Sequence, residues 1–245
     1  MATPARWAEA GSRACAIAAV PPFMGWPAEA VRRLAEASRP SKHRRGQAIL
    51  SRGNRLHAVH LVVEGTVHVS LSAAGGRTVV FAIARPGAAL FGVGSLVDGS
   101  PMSNDVVADE PVTSLAIPVA AVRAELARTP ELWESIAREI TSRARFTVDQ
   151  LSDFLFEPLR SRVARLLLAL AASTGADQDD ETVSIGLRLP QERIGEMLGV
   201  SRQTAAALVR EMVHDGLVQW RYGGVTLLDL PRLRSIAEPT AHGTR

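Results

Sequence analysis

Residues 189–212 read LPQERIGEMLGVSRQTAAALVREM. Between Gln191 and Leu198 the apolar residues Ile194, Met197 and Leu198 recur three and four apart, which is one face of a helix. Gly199 follows at the position after the helix end, where glycine adopts a positive φ at little cost. Val200 is an apolar plug within the turn. The Ser201 hydroxyl can accept a hydrogen bond from an orphan amide at the start of a second helix. That helix turns Ala205, Leu208, Val209 and Met212 inward, and Gly195 is small where two crossing helices must approach closely. An ordinary helical hairpin in a core does not need the small residue, the plug and the cap in this order. The stretch therefore reads as a helix-turn-helix, the unit whose second helix enters the major groove of DNA.

The residues that follow extend the unit. Leu217 to Arg221 alternates, Tyr222-Gly223-Gly224 supplies a turn, and Val225 to Leu228 is a second short apolar run, so a β-hairpin is expected. A hairpin directly after a helix-turn-helix reads as a wing, and Val183 to Leu187 can add a strand ahead of it. The candidate DNA-contacting residues are Ser201, Arg202, Gln203, Thr204, Ala206, Ala207 and Arg210. Arginine can pair bidentately with guanine and glutamine with adenine, which suits Arg202 and Gln203 in the first helical turn. Arg210 lies farther along and is better placed for phosphate.

With 245 residues the chain is too long for this unit alone, and a hydrophobic fraction of 47% is enough for a second core. No apolar run reaches the roughly 18 residues of a membrane span, and the N-terminus has no signal-peptide pattern. Cys15 is the only cysteine, so intramolecular disulfides and a four-cysteine iron–sulfur or zinc site are excluded. These features suit the cytoplasm. The net charge is +3 with a pI near 9.9, and Lys42 is the only lysine. Residues 188–234 hold seven Arg against five acids, so charge supports an anionic partner only weakly and the motif carries the reading.

Ahead of the motif, residues 1 to about 20 are Ala-rich without a pattern. Pro27 to Ala37 is expected to be a short helix with Pro27 in its first turn, and Ser41 to Gly46 a basic loop. From Gln47 to Ile117 short alternating runs are separated by turns: Gln47–Leu50, Ala58–Glu64, Thr66–Leu71, Thr78–Ala84, Ala88–Phe91, Asp105–Ala108 and Val112–Ile117. Many short strands at this spacing imply a sandwich or jelly-roll barrel. Pro118 to Leu126 is helical. A long helix then starts at Thr129-Pro130, with Thr129 as its cap, and runs toward Phe156. Leu132, Ile136, Ile140, Ala144, Val148 and Leu151 form its stripe, which is expected to pair with a second copy. Leu159 to Ala172 is another helix, and Ser173 to Glu181 an acidic loop.

In this order the chain resembles the CRP/FNR family of bacterial transcription regulators, over roughly residues 20 to 235. The carriers are the segment around VVEGTVHV, the FGVGSLVDGS stretch, the long helix and the helix-turn-helix with its wing. The resemblance implies an α+β fold: a cyclic-nucleotide-binding-like, jelly-roll-like β-roll over 20–128, a dimerisation helix over 129–156, and a winged helix-turn-helix over 157–235. It also implies a homodimer on double-stranded DNA with an inverted repeat, control by an effector, and RNA polymerase as a partner, with the Ser173–Glu181 loop as the candidate contact. A candidate effector pocket falls on Phe91, Gly92, Val93, Gly94, Ser95, Leu96, Ser103 and Asn104. There the sequence departs from cAMP-binding members, which carry a Glu for the ribose and an Arg-Ser pair for the phosphate. Val93 and Ser103-Asn104 stand at those places, and a cyclic phosphate needs a charge-assisted partner, so cAMP is not the expected effector. Gln203 and Ala207 also depart from the family's base-reading residues, so the preferred DNA sequence is expected to differ.

The histidines and the cysteine also admit two other chemistries. Haem could be held by His57, His60, His68 or Cys15, as in some family members. A cupin-like metalloenzyme would use His57, His60, Glu64 and His68, but the H-x-x-H spacing sends His57 and His60 to opposite faces of a strand. The sequence contains no G-x-S-x-G, P-loop, dinucleotide fingerprint or H-E-x-x-H. The expectation is a regulator and not an enzyme, with no catalytic residues and no metal.

Overall fold

In a computed structural model of the chain, the residues described are 7–73, 78–87, 90–174, 178–179, 182–185, 190–221 and 224–238. They form two compact units: Met1–Gly76 with Phe81–Phe146, and Arg77–Val80 with Thr147–Arg245.

The first unit opens with α1 (Ala10–Ala18), a 3-10 turn at Pro21–Phe23 and α2 (Ala28–Ala37). Strands β1 (Arg39–His43), β2 (Ala48–Leu50), β3 (Ala58–Glu64), β4 (Val67–Ser72), β5 (Thr78–Ala84) and β6 (Leu90–Phe91) follow. Then come α3 (Val93–Asp98), β7 (Asp105–Ala108), β8 (Val112–Pro118), α4 (Val119–Arg128), a 3-10 turn at Pro130–Leu132, and α5 (Trp133–Phe156). The strands make two antiparallel sheets, ordered β1-β8-β3-β6 and β2-β7-β4-β5. Val62, Phe91 and Val112 from one sheet meet Val67, Val69, Val106 and Ala108 from the other in a single apolar cluster, which closes the roll. The opposite face of β3 carries Val59, Leu61 and Val63, which join Leu34 of α2, Leu126 of α4 and Ile136 of α5 in a larger core. Strand β3 therefore feeds two cores, one through Val59, Leu61 and Val63 and the other through Val62.

The second unit holds α6 (Leu159–Thr174), β9 (Gln178–Asp179), β10 (Thr182–Ile185), α7 (Gln191–Leu198), α8 (Arg202–His214), β11 (Val218–Arg221), β12 (Gly224–Leu227) and α9 (Leu230–Ala237). Its sheet runs β11-β12-β10-β9, and α6 packs against α9 and α7. The fold is α+β, with a β-roll, a long helix and a winged helix-turn-helix. No helix among the described residues is long and apolar enough to cross a membrane.

The structure corrects several expectations. The Ala-rich start contains α1, which Trp7 and Arg13 tie down: the Trp7 indole donates to Glu64 at 2.9 Å, and Arg13 donates to the Ala35 carbonyl at 3.0 Å. The first half of the basic stretch Ser41–Gly46 is strand, because β1 pairs with β8 from Arg39↔Ala116 to His43↔Val112. Its Pro40 is tolerated because β1 lies at the sheet edge. Pro27 stands at the N-cap of α2, one place before its first turn. Thr129 makes no side-chain cap, and a 3-10 turn precedes the long helix. Most of the acidic loop and residues 186–189 lie outside the described residues.

Candidate nucleic-acid interface

The turn between α7 and α8 is built as its residues require. Gly199 ends α7 at φ +68°, in the left-handed region that glycine enters without strain. A Cβ on Gly195 would stand 3.0 Å from the Val200 carbonyl oxygen and 3.4 Å from the Arg202 amide nitrogen, so the crossing leaves no room for a side chain. The Val200 amide donates to the Gly195 carbonyl at 2.9 Å. Ser201 caps α8: its hydroxyl oxygen accepts from the Thr204 amide at 3.1 Å and contacts the Thr204 hydroxyl at 2.8 Å. The Thr204 side chain is thus engaged in the cap.

Ala205, Val209 and Met212 are buried, and Leu208 is half-buried. The opposite face carries exposed Arg202, Gln203, Ala207 and Arg210, with Ala206 half-buried. Ser201, Arg202, Gln203 and Ala206 line a shallow hollow of about 500 Å³ together with Gln191. Gln191 was not anticipated from sequence. It is the first residue of α7, and only the crossing of the two helices brings it beside the start of α8. A second hollow of about 430 Å³ lies on the wing, lined by Ser184, Arg221 and Thr226 among others.

The far end of α8 is held by charge. Arg160 of α6 pairs with Glu211 and Asp215, and its guanidinium holds the Asp215 carboxyl below the usual range. The wing follows: β11 and β12 pair from Val218↔Leu227 to Arg221↔Gly224, and β10 pairs with β12. Asp229 accepts from the Arg232 amide at 2.9 Å and so caps α9.

The candidate effector residues lie on β6, on α3 and in the stretch between α3 and β7. Val93 and Leu96, one helical turn apart on α3, are buried in the larger core, and Phe91 is buried in the roll's inner cluster. The Ser95 hydroxyl meets the Met102 sulfur at 3.5 Å, the Ser103 hydroxyl donates to the Asn104 side chain at 3.1 Å, and Gly94 is exposed.

The candidate haem and metal ligands His57, His60, His68 and Cys15 have different surroundings. His57 is exposed, and Cys15 lies exposed on α1. His68 Nδ1 contacts Asp109 at 2.9 Å, and Glu64 accepts from Trp7 and Thr113. His60 Nδ1 and His43 Nε2 both contact the Ser114 hydroxyl, at 3.0 and 2.9 Å, while buried His43 Nδ1 has no partner. Burial, and then the nearby His43, push His60 down to about 4, and burial lowers His43. Among the described residues no three His, Cys, Asp or Glu side chains come together to hold a metal ion. The cupin-like constellation is therefore not assembled.

The stripe on α5 divides. Ile136 is fully buried, with Leu132 and Ile140 against the same core, so these three expected interface residues face their own unit. Ala144, Val148 and Leu151 are exposed, and Leu155 continues them at heptad spacing. Val148 is 64%, Leu151 56% and Leu155 60% exposed, too much apolar surface in one line for an isolated helix face.

Comparisons with known proteins agree with this architecture. Residues 40–129 match the cyclic nucleotide-binding domain, and residues 161–236 match the Crp-like helix-turn-helix domain. The chain is 27% identical over 211 residues to the CRP-like cAMP-activated global transcriptional regulator of Mycobacterium tuberculosis, covering 86% of this chain and 93% of that protein. It is 28% identical over 176 residues to the global nitrogen regulator of Synechococcus elongatus, covering 71% and 78%. In structure it is similar to the c-di-GMP responsive global regulator CLP of Xanthomonas campestris, with a TM-score of 0.71 at 18% identity over 82% of this chain and 99% of that one. With two domain matches in the family's order and relatives that span both, the chain belongs to the CRP/FNR family of bacterial transcription regulators.

Proposed function

We propose that the chain is a sequence-specific DNA-binding regulator that acts as a homodimer on an inverted repeat, under the control of a small effector other than cAMP. The observation that carries the reading is the outer face of α8. Arg202, Gln203, Ala206, Ala207 and Arg210 share that face, while Ala205, Val209 and Met212 anchor the helix from behind. Arg202 donates two parallel hydrogen bonds to a guanine, Gln203 pairs with an adenine, and Arg210 meets phosphate. Gln191 adds a second amide beside them, and Arg221 of the wing reaches the backbone. The exposed seam Ala144, Val148, Leu151 and Leu155 joins two copies, so that two recognition helices meet half-sites about one helical turn apart. The functional division follows the segments 20–128 for sensing, 129–156 for pairing and 157–235 for DNA. RNA polymerase is a partner that the family relation suggests.

The effector reading rests on Val93. A valine buried in the core cannot hold a ribose hydroxyl, and the neighbouring serines are engaged with their neighbours. The test is fluorescence anisotropy of a labelled inverted-repeat duplex with and without cAMP. DNA affinity is expected to be unchanged by millimolar cAMP. A rise of about tenfold, equivalent to about 1.4 kcal/mol, would overturn the exclusion of cAMP.

A further inference from the structure

The last turn of α5 is fastened to the helix-turn-helix within the second unit. The Phe154 ring lies under the Arg162 guanidinium, with Cζ 4.7 Å from the ring centroid. The same guanidinium donates through Nη2 to the Leu198 carbonyl at 2.7 Å. Leu198 is the last residue of α7, and its carbonyl is one that the helix itself leaves unpaired. The ring also approaches Gly199, where a Cβ would stand 3.1 Å from Phe154 Cε2. Phe154, 53% exposed, thus rests one side of its ring on α6 and on the turn that launches α8. Beside it, Arg165 of α6 pairs with Asp153 and, at 3.8 Å, with Glu157. Phe154 stands three residues after Leu151 and so lies beside the exposed heptad seam of α5.

From this juxtaposition we propose that Phe154 and Arg162 are positioning residues that fix the angle of the recognition helix on the end of α5 and so set the half-site spacing the regulator accepts. The inference rests on the dimeric DNA-binding reading above. A planar guanidinium can stack on a ring and donate to a carbonyl at once, and a lysine ammonium cannot reproduce that geometry. With this contact intact, each recognition helix leaves its α5 in one direction, and a spacer one base pair longer or shorter, about 3.4 Å along the duplex, misplaces one of the two. With the contact removed, the α7–α8 turn swivels against α5, and altered spacers are accepted.

The test uses the full chain and three duplexes that carry the selected inverted repeat with its own spacer, one base pair more and one fewer. The wild type is expected to prefer its own spacer by about tenfold or more, the scale of a lost base contact. Phe154→Ala is expected to reduce that preference below about threefold, with binding to a single half-site unchanged and the dimer retained by sedimentation. Arg162→Lys, which keeps the charge and leaves α5 untouched, is expected to do the same and serves where Phe154→Ala fails to fold. An unchanged spacer preference in both variants overturns the inference. So does a parallel loss on all three duplexes and the single half-site, which is the signature of a merely structural role. A wild type with no preference for any inverted repeat removes the dimeric reading, and the inference falls with it.

Discussion

Truncating Leu151 to alanine separates the two halves of the long helix. Leu151 is 56% exposed in the single chain, so slightly more than half of its surface remains for a second copy to cover. Leu→Ala removes three carbon groups, worth about 2.4 kcal/mol if wholly buried at about 0.8 kcal/mol each. The uncovered share is then about 1.3 kcal/mol per chain, and about 2.7 kcal/mol for the two chains of a dimer. That corresponds to a dimer dissociation constant raised by about a hundredfold. Sedimentation equilibrium over a dilution series measures it directly. Ile136→Ala, on the same helix but fully buried in its own unit, supplies the contrast. It is expected to lower folding stability by about 2–5 kcal/mol and to leave the dissociation constant nearly unchanged. If Leu151→Ala left dimerisation within threefold of the wild type, the exposed seam would not be the pairing surface.

Three further outcomes are expected. Arg202→Ala should weaken specific DNA binding by about 1–3 kcal/mol and relax one base position in each half-site, measured by anisotropy on single-base variants of the site; an equal loss on every sequence would make Arg202 a phosphate contact. Gly195→Ala pushes a Cβ to 3.0 Å from the Val200 carbonyl, and should cost about 1–3 kcal/mol of stability, read by denaturant unfolding, with DNA affinity falling on all sequences alike. The third concerns acid. His60 has its folded-state value lowered to about 4, first by burial and then by His43, so its contribution is complete above about pH 6.5, the unfolded value, and is lost as the pH falls from there through about 4. The loss amounts to at most about 3 kcal/mol. Carboxylates such as Glu125, held low by Arg33, also weaken the fold in acid. The informative quantity is therefore the difference between wild type and His60→Gln in urea unfolding at pH 7, 5 and 4, which should shrink as the pH falls.

The helix-turn-helix was legible because each of its residues answers a local demand. Gly199 needs a positive φ, Ser201 satisfies an orphan amide, and Ile194 and Leu198 sit at helical spacing. The strands from Ala58 onward were legible by alternation. Elements fixed by distant partners were not. Strand β1 reads R-P-S-K-H and carries no apolar alternation; its strand character comes from pairing with β8. Helix α1 has little sequence pattern beyond alanine, and is held by the Trp7 and Arg13 bonds. The long helix showed one continuous stripe, yet a stripe cannot tell which part meets its own chain: Ile136 faces the core and Val148 faces solvent. At the candidate effector site the departure at Val93 was visible in sequence, but its burial, and that of Leu96, required the short helix α3. Gln191 joined the DNA-facing group only through the crossing of α7 and α8.

The central claim is that two copies of α8 read an inverted repeat, and selection of bound duplexes from a random pool by the purified chain tests it most directly. The account expects enrichment of a two-fold symmetric site with half-sites about one helical turn apart, with a guanine in each half-site whose preference disappears in Arg202→Ala. Salt-sensitive binding with no enriched sequence, or enrichment of a single asymmetric site, would contradict it.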